Sequence, residues 1–206
     1  MGTETEAKYI VTDRMAFLEL RERRQAGVYT LRDAGFQEVR DTYLDTKDRR
    51  LMQTGYACRL REMTPEYFIT LKSLQEQDGD IHVRTELEER IDDPSHAVRP
   101  ELWPDGAARD LATRVGRGVV LGAIAEIRQT RWKRVVLKEG RRLFELSLDE
   151  VRLPTLMYCV EVELTSGTTD ELSAFIPVIQ KIAPMKADPK SKLEHALDAA
   201  GIPYSF

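Results

Sequence analysis

The sequence predicts an α+β protein in which about eight antiparallel strands form a barrel or a sandwich, with helices packed on the outside. Two observations support this prediction. Eight short strand-like runs follow one another along the 206 residues, separated by turn-prone segments. Helical patterns occur in only three regions, near the start, in the middle and at the end. The length suits one substantial core, so we expect a single domain over residues 1–206.

The first half of the chain combines one strand, two helical segments and four further strands. After the strand TETEAKYIV, the run MAFLELRERRQAG has helical periodicity and is predicted to end at Gly27. YTLRDAGF then predicts a short helix from about Thr30 to Gly35. The four strands that follow are VRDTYLDTKD, YACRLREM, EYFITLKSL and IHVRTELEERI. The turn-prone segments DTKDRR, MTPE and QEQDGD separate them.

The second half has a helical interruption, three strands and a helical tail. SHAVRPELWPDGAARDLATRVG predicts helix, punctuated by prolines and a glycine. The three strands are AEIRQTRWKRVVLKEG, LFELSLDEVRL and MYCVEVELTS, and KEGRR predicts a hairpin turn between the first two. In the tail, Thr169 is the expected N-cap of a helix and Pro184 interrupts it.

Six of the strands carry a charged stripe on one face and an apolar stripe on the other, because residues two apart on a strand share a face. For any one strand, a solvent-exposed face of an ordinary amphipathic sheet would explain the charged stripe. Glu, Asp and Lys are depleted in strands, however, so their recurrence across six strands favours a shared interior. The charged stripes are Glu4, Glu6 and Lys8; Arg59 and Arg61; Phe68, Thr70 and Lys72; Arg84, Glu86 and Glu88; Glu145, Ser147 and Asp149; and Glu161 and Glu163.

In a closed sheet, the packing of the helices determines whether the charged stripes face inward or outward. Helical segments need an apolar surface to pack on, so the apolar stripes are expected outside and the charges inside. An eight-stranded barrel has room for side chains or for one small ligand. Carboxylates bind hard cations such as Mg²⁺, and arginine and lysine bind phosphate oxygens. The pattern therefore predicts a metal-bound phosphate chain as the ligand.

Composition argues against several other classes of protein. The net charge of −4 lacks the basic excess of a nucleic-acid binder. We find no signal peptide, and no run of about 20 apolar residues that could cross a membrane. Cys58 and Cys159 lie far apart with no CxxC spacing, so we expect a reducing cytoplasm. The three histidines have no metal-site spacing either.

Several of these motifs resemble a known family. Glu4-Thr5-Glu6-Ala7-Lys8 matches the ExExK signature of the CYTH superfamily, also called triphosphate tunnel metalloenzymes. Further landmarks occur in the family's order, namely YLDTKDRRLMQTGYACRLR, FITLK, RTELEE, RQTRW, ELSLDEV, VEVEL and Ser191-Lys192. The resemblance covers nearly the whole chain. It implies an eight-stranded closed antiparallel β-barrel, a tunnel with helices outside, that binds triphosphate with Mg²⁺ or Mn²⁺.

The resemblance also implies roles for individual residues. The expected catalytic and metal-binding carboxylates are Glu4, Glu6, Glu161 and Glu163, with Glu86, Glu88 and Asp149 as further metal ligands. The expected phosphate contacts are Lys8, which is also assigned to catalysis, and Arg59, Arg61, Lys72, Arg84, Arg128 and Lys192. For two of these phosphate contacts, another nearby basic residue is an alternative. Arg131 competes with Arg128, because Gln129 and Thr130 follow where the family often has consecutive basic residues. Lys190 competes with Lys192 in the tail.

Three functional classes share these residues. Hydrolysis of inorganic triphosphate (tripolyphosphate) or thiamine triphosphate is one, with the inorganic compound preferred. A class IV-type adenylyl cyclase would let the ribose 3′-hydroxyl attack the α-phosphate of a nucleoside triphosphate. A non-catalytic polyphosphate or nucleotide-binding module is the third. In every case the partner is a small triphosphate, and an outer surface incompletely covered by helices leaves room for a homodimer.

Overall fold

The computed structural model describes residues 2–74, 77–78 and 81–204. The predicted turn QEQDGD falls on residues 75–80, and only its central pair, within a short strand, belongs to the described residues. No helix in the described ranges is long and apolar enough to span a membrane.

Eight strands form the wall of a barrel, and three short strands add to it. The eight are β1 (Gly2–Val11), β3 (Tyr29–Asp45), β4 (Tyr56–Met63), β5 (Glu66–Ser73), β7 (Ile81–Ile91), β8 (Gly122–Lys138), β9 (Arg141–Arg152) and β10 (Leu156–Leu164). The short strands are β2 (Gln25–Ala26), β6 (Gln77–Asp78) and β11 (Met185–Ala187). The eight long strands correspond to the eight strands predicted from the sequence.

The barrel closes through antiparallel pairs alone. Its order is β1, β10, β9, β8, β3, β4, β5 and β7, and β7 pairs with β1 again. The second edge of β1 is shared, because residues 2–7 pair with β7 and residues 9–11 pair with β11. The predicted α+β fold with a closed eight-stranded antiparallel barrel is confirmed, and closure leaves no long unpaired edge among the strands of the described ranges.

Helices cover the outside of the barrel and bury the apolar stripes. They are α1 (Arg14–Glu22), α2 (Arg50–Gln53), α3 (Ala107–Gly116), α4 (Thr169–Gln180) and α5 (Lys192–Ala199), with two 3₁₀ turns at Pro94–Val98 and Pro100–Leu102. Phe17 of α1 and Phe175 of α4 are fully buried in one cluster with Phe144 of β9. A second cluster joins Trp103 and Leu111 to outward residues of β4 and β5. Because these clusters lie outside the barrel wall, the charged stripes face its interior.

The last helix closes one end of the barrel. Leu193 and Leu197 of α5 are buried in a cluster with Tyr43, Ile127 and Cys159, which come from β3, β8 and β10. Ser191 caps this helix, and its hydroxyl accepts a hydrogen bond from the Glu194 amide in a capping box. The cap places the first residues of α5 at the interior of the barrel.

The short helix predicted from Thr30 to Gly35 is wrong, because this segment belongs to β3. Tyr29 and Leu31 are buried two residues apart and pair with β8 over a long stretch. Pairing between distant segments therefore overrides the local helical pattern. Gly35 has a φ of 91° beside the irregularity where the register shifts between Asp33 and Phe36, a backbone conformation that glycine adopts without strain.

Four helix boundaries also differ from the sequence predictions. The first helix ends at Glu22, and Gly27 lies in the turn between β2 and β3. The middle segment splits into two 3₁₀ turns and α3, as its prolines impose. The N-cap of α4 is Thr168 rather than Thr169, with Glu171 completing the capping box. The tail contains strand β11 before α5 begins.

Candidate functional site

The barrel encloses one charged cavity of about 290 Å³. All but two of the predicted site residues line it, namely Glu4, Glu6, Lys8, Arg59, Arg61, Lys72, Arg84, Glu86, Glu88, Glu161, Glu163 and Lys192. Arg131, the predicted alternative to Arg128, lines it as well, as do Thr70 and Glu145 of the predicted stripes. The structure adds Tyr43 and Lys133, which the sequence analysis did not assign to the site. All eight long strands and the start of α5 thus contribute side chains to a single space.

Strand register brings residues distant in sequence into neighbouring positions. Glu6 of β1 lies opposite Glu163 of β10, and Lys8 lies opposite Glu161. Glu163 in turn lies opposite Glu145 of β9. Like charges directly opposite each other on a sheet are destabilising. This row of three carboxylates is therefore costly unless a cation neutralises it.

The pKa values of two carboxylates in this part of the cavity show that cost. Burial, together with repulsion from Glu6 and Glu86, raises the pKa of Glu4 to about 7 although Lys72 opposes the shift. Burial and repulsion from Glu145 and Glu6 also raise the pKa of Glu163. We define the acidic cluster as Glu4, Glu6, Glu86, Glu145 and Glu163.

The acidic cluster has the donor chemistry that a hard divalent cation prefers. It offers carboxylate oxygens only, which suit Mg²⁺ and Mn²⁺. Within the described residues, no three such groups already converge as a metal cage. The ammonium group of Lys72 lies among these carboxylates, where it contacts Glu4 and is 3.5 Å from an oxygen of Glu6. The chemistry of the cluster therefore fits the divalent metal ion that the resemblance noted in the sequence implies.

A second group combines cations with ionised carboxylates near α5. Arg131 Nη2 donates to Glu161 at 2.6 Å, and Lys192 Nζ lies 3.0 Å from the same carboxylate. Burial opposes ionisation of Glu161, yet Lys192 and Arg131 hold its pKa well below the ordinary value. Lys8 belongs to this region as well, and its Nζ donates to the Lys190 carbonyl at 2.9 Å. These contacts fasten the tail segment to the interior of the barrel.

Asp149 lies behind this group and does not line the cavity. Its oxygens accept hydrogen bonds from Arg131 Nε at 2.8 Å, Arg131 Nη2 at 2.6 Å and Lys192 Nζ at 2.5 Å. It is fully buried. Because Arg131 and Lys192 already bind both of its oxygens, we do not propose Asp149 as a metal ligand.

Arg128 is the one predicted phosphate contact that the structure moves out of the interior. Its side chain is 67% exposed and pairs with Glu126 on the outer face. Arg131 and Lys133 face inward, so strand alternation turns Arg128 outward. The prediction is wrong because two arginines three residues apart on a strand lie on opposite faces. Arg131, the alternative, is the inward one.

The tail lysines divide in a similar way. Lys192 lines the cavity, whereas the Lys190 side chain pairs with Asp198 on the outer surface of the tail. Only the backbone carbonyl of Lys190 reaches inward, to Lys8. Lys192 is therefore the tail lysine that is available to an interior ligand.

The two cysteines are both buried and free. Burial raises the pKa of Cys159 to about 12 and raises the pKa of Cys58 further. We therefore expect neither thiol to react with Ellman's reagent at pH 8 in the folded protein, and both to react within minutes in denaturant. Rapid labelling of either thiol without denaturant would contradict the packing described for them. Their environments also argue against a cysteine nucleophile.

The closed antiparallel barrel and its charged interior define a β-barrel tunnel. The sequence matches the model of the CYTH domain over residues 2–197. The chain therefore belongs to the CYTH domain family. A comparison with curated proteins gave no match.

Solved structures share the fold at low sequence identity. HpAC1 from Hippeastrum has a TM-score of 0.77 at 20% identity, over 98% of this chain and 97% of that chain. A protein from Bacillus halodurans that is described as a candidate adenylate cyclase has a TM-score of 0.64 at 20% identity, over 95% and 98%. PH1012 from Pyrococcus horikoshii has a TM-score of 0.60 at 18% identity, over 93% and 98%. These similarities establish the shared tunnel fold.

Proposed function

We propose that this protein hydrolyses a small triphosphate in its tunnel, with inorganic tripolyphosphate as the preferred substrate and Mg²⁺ or Mn²⁺ as the cofactor. The observation that supports this most directly is the division of one cavity wall into two kinds of group. Cationic side chains suited to phosphate oxygens face an acidic cluster whose members repel one another. Phosphoryl transfer needs mainly such positioning and charge neutralisation.

The basic residues would hold the phosphate chain. Arg59, Arg61 and Arg131 line the cavity, and the guanidinium N–H donors that do not contact Asp41, Asp149 or Glu161 can bind phosphate oxygens. Lys8, Lys72, Arg84 and Lys192 would add further positive charge along the chain. Held in this way, the phosphate chain is oriented for attack, and charge that develops on its oxygens is stabilised by groups already in place.

The acidic residues would hold the cofactor. Glu4, Glu6, Glu86 and Glu163 are the proposed ligands, and Lys72 marks the position between Glu4 and Glu6 that a positive charge already occupies. A bound Mg²⁺ or Mn²⁺ would neutralise phosphate oxygens and lower the pKa of a water molecule that attacks phosphorus. Glu161 stays with Arg131 and Lys192 and keeps them in place.

The composition of the cavity wall favours an inorganic substrate over one with an organic ring. Among the described residues that line the cavity, Tyr43 is the single aromatic side chain and it is buried. Ala57, Leu74 and Leu193 are the other apolar groups. Sites for drug-sized ligands are mostly apolar and measure about 300–1,000 Å³. This cavity is small and charged, which suits a bare phosphate chain. HpAC1, which shares the fold, is described as having a dominant triphosphatase activity, in agreement with hydrolysis.

The same proposal covers location and organisation. Two free, buried cysteines with no disulfide are in keeping with a reducing cytoplasm. We take residues 1–206 as one domain, because strands from both halves of the sequence join in a single barrel.

A panel of substrates tests the proposal. Phosphate release would be measured with Mg²⁺, Mn²⁺ or EDTA against tripolyphosphate, ATP and thiamine triphosphate, with cyclic AMP assayed in parallel. We expect metal-dependent release that is fastest from tripolyphosphate. Cyclic AMP as the main product from ATP would assign the chain to the cyclases. Tight binding of tripolyphosphate without turnover would make it a binding module.

A further inference from the structure

A buried carboxylate on β3 supports two of the arginines that face the cavity. Asp41 has 0% exposure and lies behind the cavity wall, whereas Arg59 and Arg61 line it. Register explains the arrangement, because Asp41 of β3 lies directly opposite Arg61 of β4, and Tyr43 lies opposite Arg59. A charge removed from water in this way needs close partners of opposite sign.

Asp41 contacts both arginines at once. Arg61 donates from Nε to Asp41 Oδ1 at 2.8 Å and from Nη2 to Oδ2 at 2.7 Å, which is a two-point contact. Arg59 Nη1 lies 3.6 Å from Oδ2 of the same carboxylate. Burial alone would raise the pKa of Asp41, but Arg61 and Arg59 outweigh it and keep the pKa well below the ordinary value. The carboxylate is therefore ionised at neutral pH.

The other side of Arg59 is held as well. Its Nη2 donates to Thr70 Oγ1 at 3.3 Å, and the Thr70 hydroxyl donates to Glu88 at 3.0 Å. Its Nε is buried and donates no hydrogen bond within the protein. The supports of Arg59 thus contact its two terminal nitrogens, and its Nε–H remains without a hydrogen-bond partner in the protein, beside the cavity that the side chain lines.

We propose that Asp41 is a positioning residue that fixes Arg59 and Arg61 for binding of the phosphate chain. The inference rests on the proposed function and deepens it. An arginine side chain has several rotatable bonds, and fixing them before the ligand arrives removes that entropic cost from binding. Asp41 contacts no substrate in this assignment, and its effect passes through the two guanidinium groups.

Asp41→Asn is the direct test, with Asp33→Asn as its matched control. Asparagine keeps the shape of the side chain but removes its charge and one of its two acceptor oxygens. Asp33 lies on the same strand and also accepts from an arginine, Arg134, but its side chain is 73% exposed and faces away from the cavity. The two variants therefore separate support of the cavity arginines from the loss of an aspartate–arginine pair on β3.

Three measurements decide the outcome. Calorimetry would give tripolyphosphate affinity in EDTA, where the basic residues act without metal, steady-state assays with Mg²⁺ would give kcat and KM, and circular dichroism would report folding. We expect Asp41→Asn to bind tripolyphosphate about tenfold more weakly, as for the loss of one charge-assisted contact. Its kcat/KM should fall between about tenfold and a hundredfold, mainly through KM. Asp33→Asn should stay within about twofold of the parent in all three.

A folded Asp41→Asn protein with parent-like affinity and KM would overturn the assignment. Loss of folding in that variant would assign Asp41 to barrel stability and overturn it too, unless Asp41→Glu folds and still binds tripolyphosphate about tenfold more weakly. Failure of the proposed function looks different. In that case the parent protein itself would neither bind nor hydrolyse any of the triphosphates.

Discussion

Replacing Glu6 with glutamine is expected to lower metal-dependent phosphate release by at least about a hundredfold, since even groups that only support a metal ligand change affinity or activity by about 10- to 100-fold. Glu6 is almost fully buried, lies opposite Glu163 and is 3.5 Å from Lys72. Glutamine has nearly the same size but no charge, so it cannot balance a divalent cation. The loss should appear with both Mg²⁺ and Mn²⁺.

The same change should also weaken metal binding directly. Titration of Mn²⁺ followed by electron paramagnetic resonance would measure free Mn²⁺ without any turnover, and we expect an affinity at least about tenfold lower than that of the parent. Glu126→Gln is the control, because Glu126 sits on the outer face with Arg40 and Arg128. Glu4→Ala and Glu163→Ala should lose activity to a similar extent, because both residues are proposed ligands. Glu161→Ala should lose activity through its partners Arg131 and Lys192. Full activity in the Glu4, Glu6 and Glu163 variants would remove the basis for the proposed cofactor site.

Strand alternation explains why so much of the interior could be predicted from sequence. On β1 and β10 the charged residues recur every second position, so one assignment of the inward face fixes several side chains at once. Glu4, Glu6 and Lys8 therefore share the cavity with Glu161 and Glu163. The same rule predicted that the apolar stripes pack against the helices, as the buried clusters show.

The rule failed where alternation is broken or absent. RQTRW carries arginines three residues apart with polar residues between them, so nothing local says which arginine faces inward. The inward face of β8 follows from its pairing with β9, in which Arg131 lies opposite Asp149. Pairing between distant segments also turned the predicted helix near Gly35 into strand. Which side chains face inward here depends on how distant strands pair, and the sequence of one strand does not determine that register.

Asp41 shows the same limit for a single side chain. In RDTYLD it alternates with Tyr43 and Asp45, so its inward face could have been predicted. Its partners, Arg59 and Arg61, lie on the next strand, and only the register places Asp41 opposite Arg61. Charged stripes on separate strands predict that opposite charges meet, but they do not predict which pairs form.

Removing the Asp149 side chain is expected to destabilise the folded protein by about 3–5 kcal/mol, the cost of breaking a buried ion pair by deleting one partner. Asp149→Ala leaves Arg131 and Lys192 with Glu161 as their remaining ion-pair partner, at a position that is fully buried. Urea unfolding followed by circular dichroism at pH 7 would measure the change. Asp198→Ala is the matched control, because it removes the exposed partner of Lys190 in the same tail and should leave the unfolding midpoint nearly unchanged.

The contribution of the Asp149 carboxylate to stability should also be visible in the parent protein when the pH is lowered. Burial opposes ionisation of Asp149, but Arg131 and Lys192 outweigh it and hold its pKa below the ordinary value. A depressed pKa contributes stability that is complete above the unfolded pKa of about 3.9 and declines as the pH falls towards the folded pKa. The parent should therefore lose free energy of unfolding as the pH is lowered through and below 4, and Asp149→Ala should lose less over the same interval. Equal losses in the two proteins would mean that Asp149 is not held ionised by Arg131 and Lys192, and the account of this buried group would have to be abandoned.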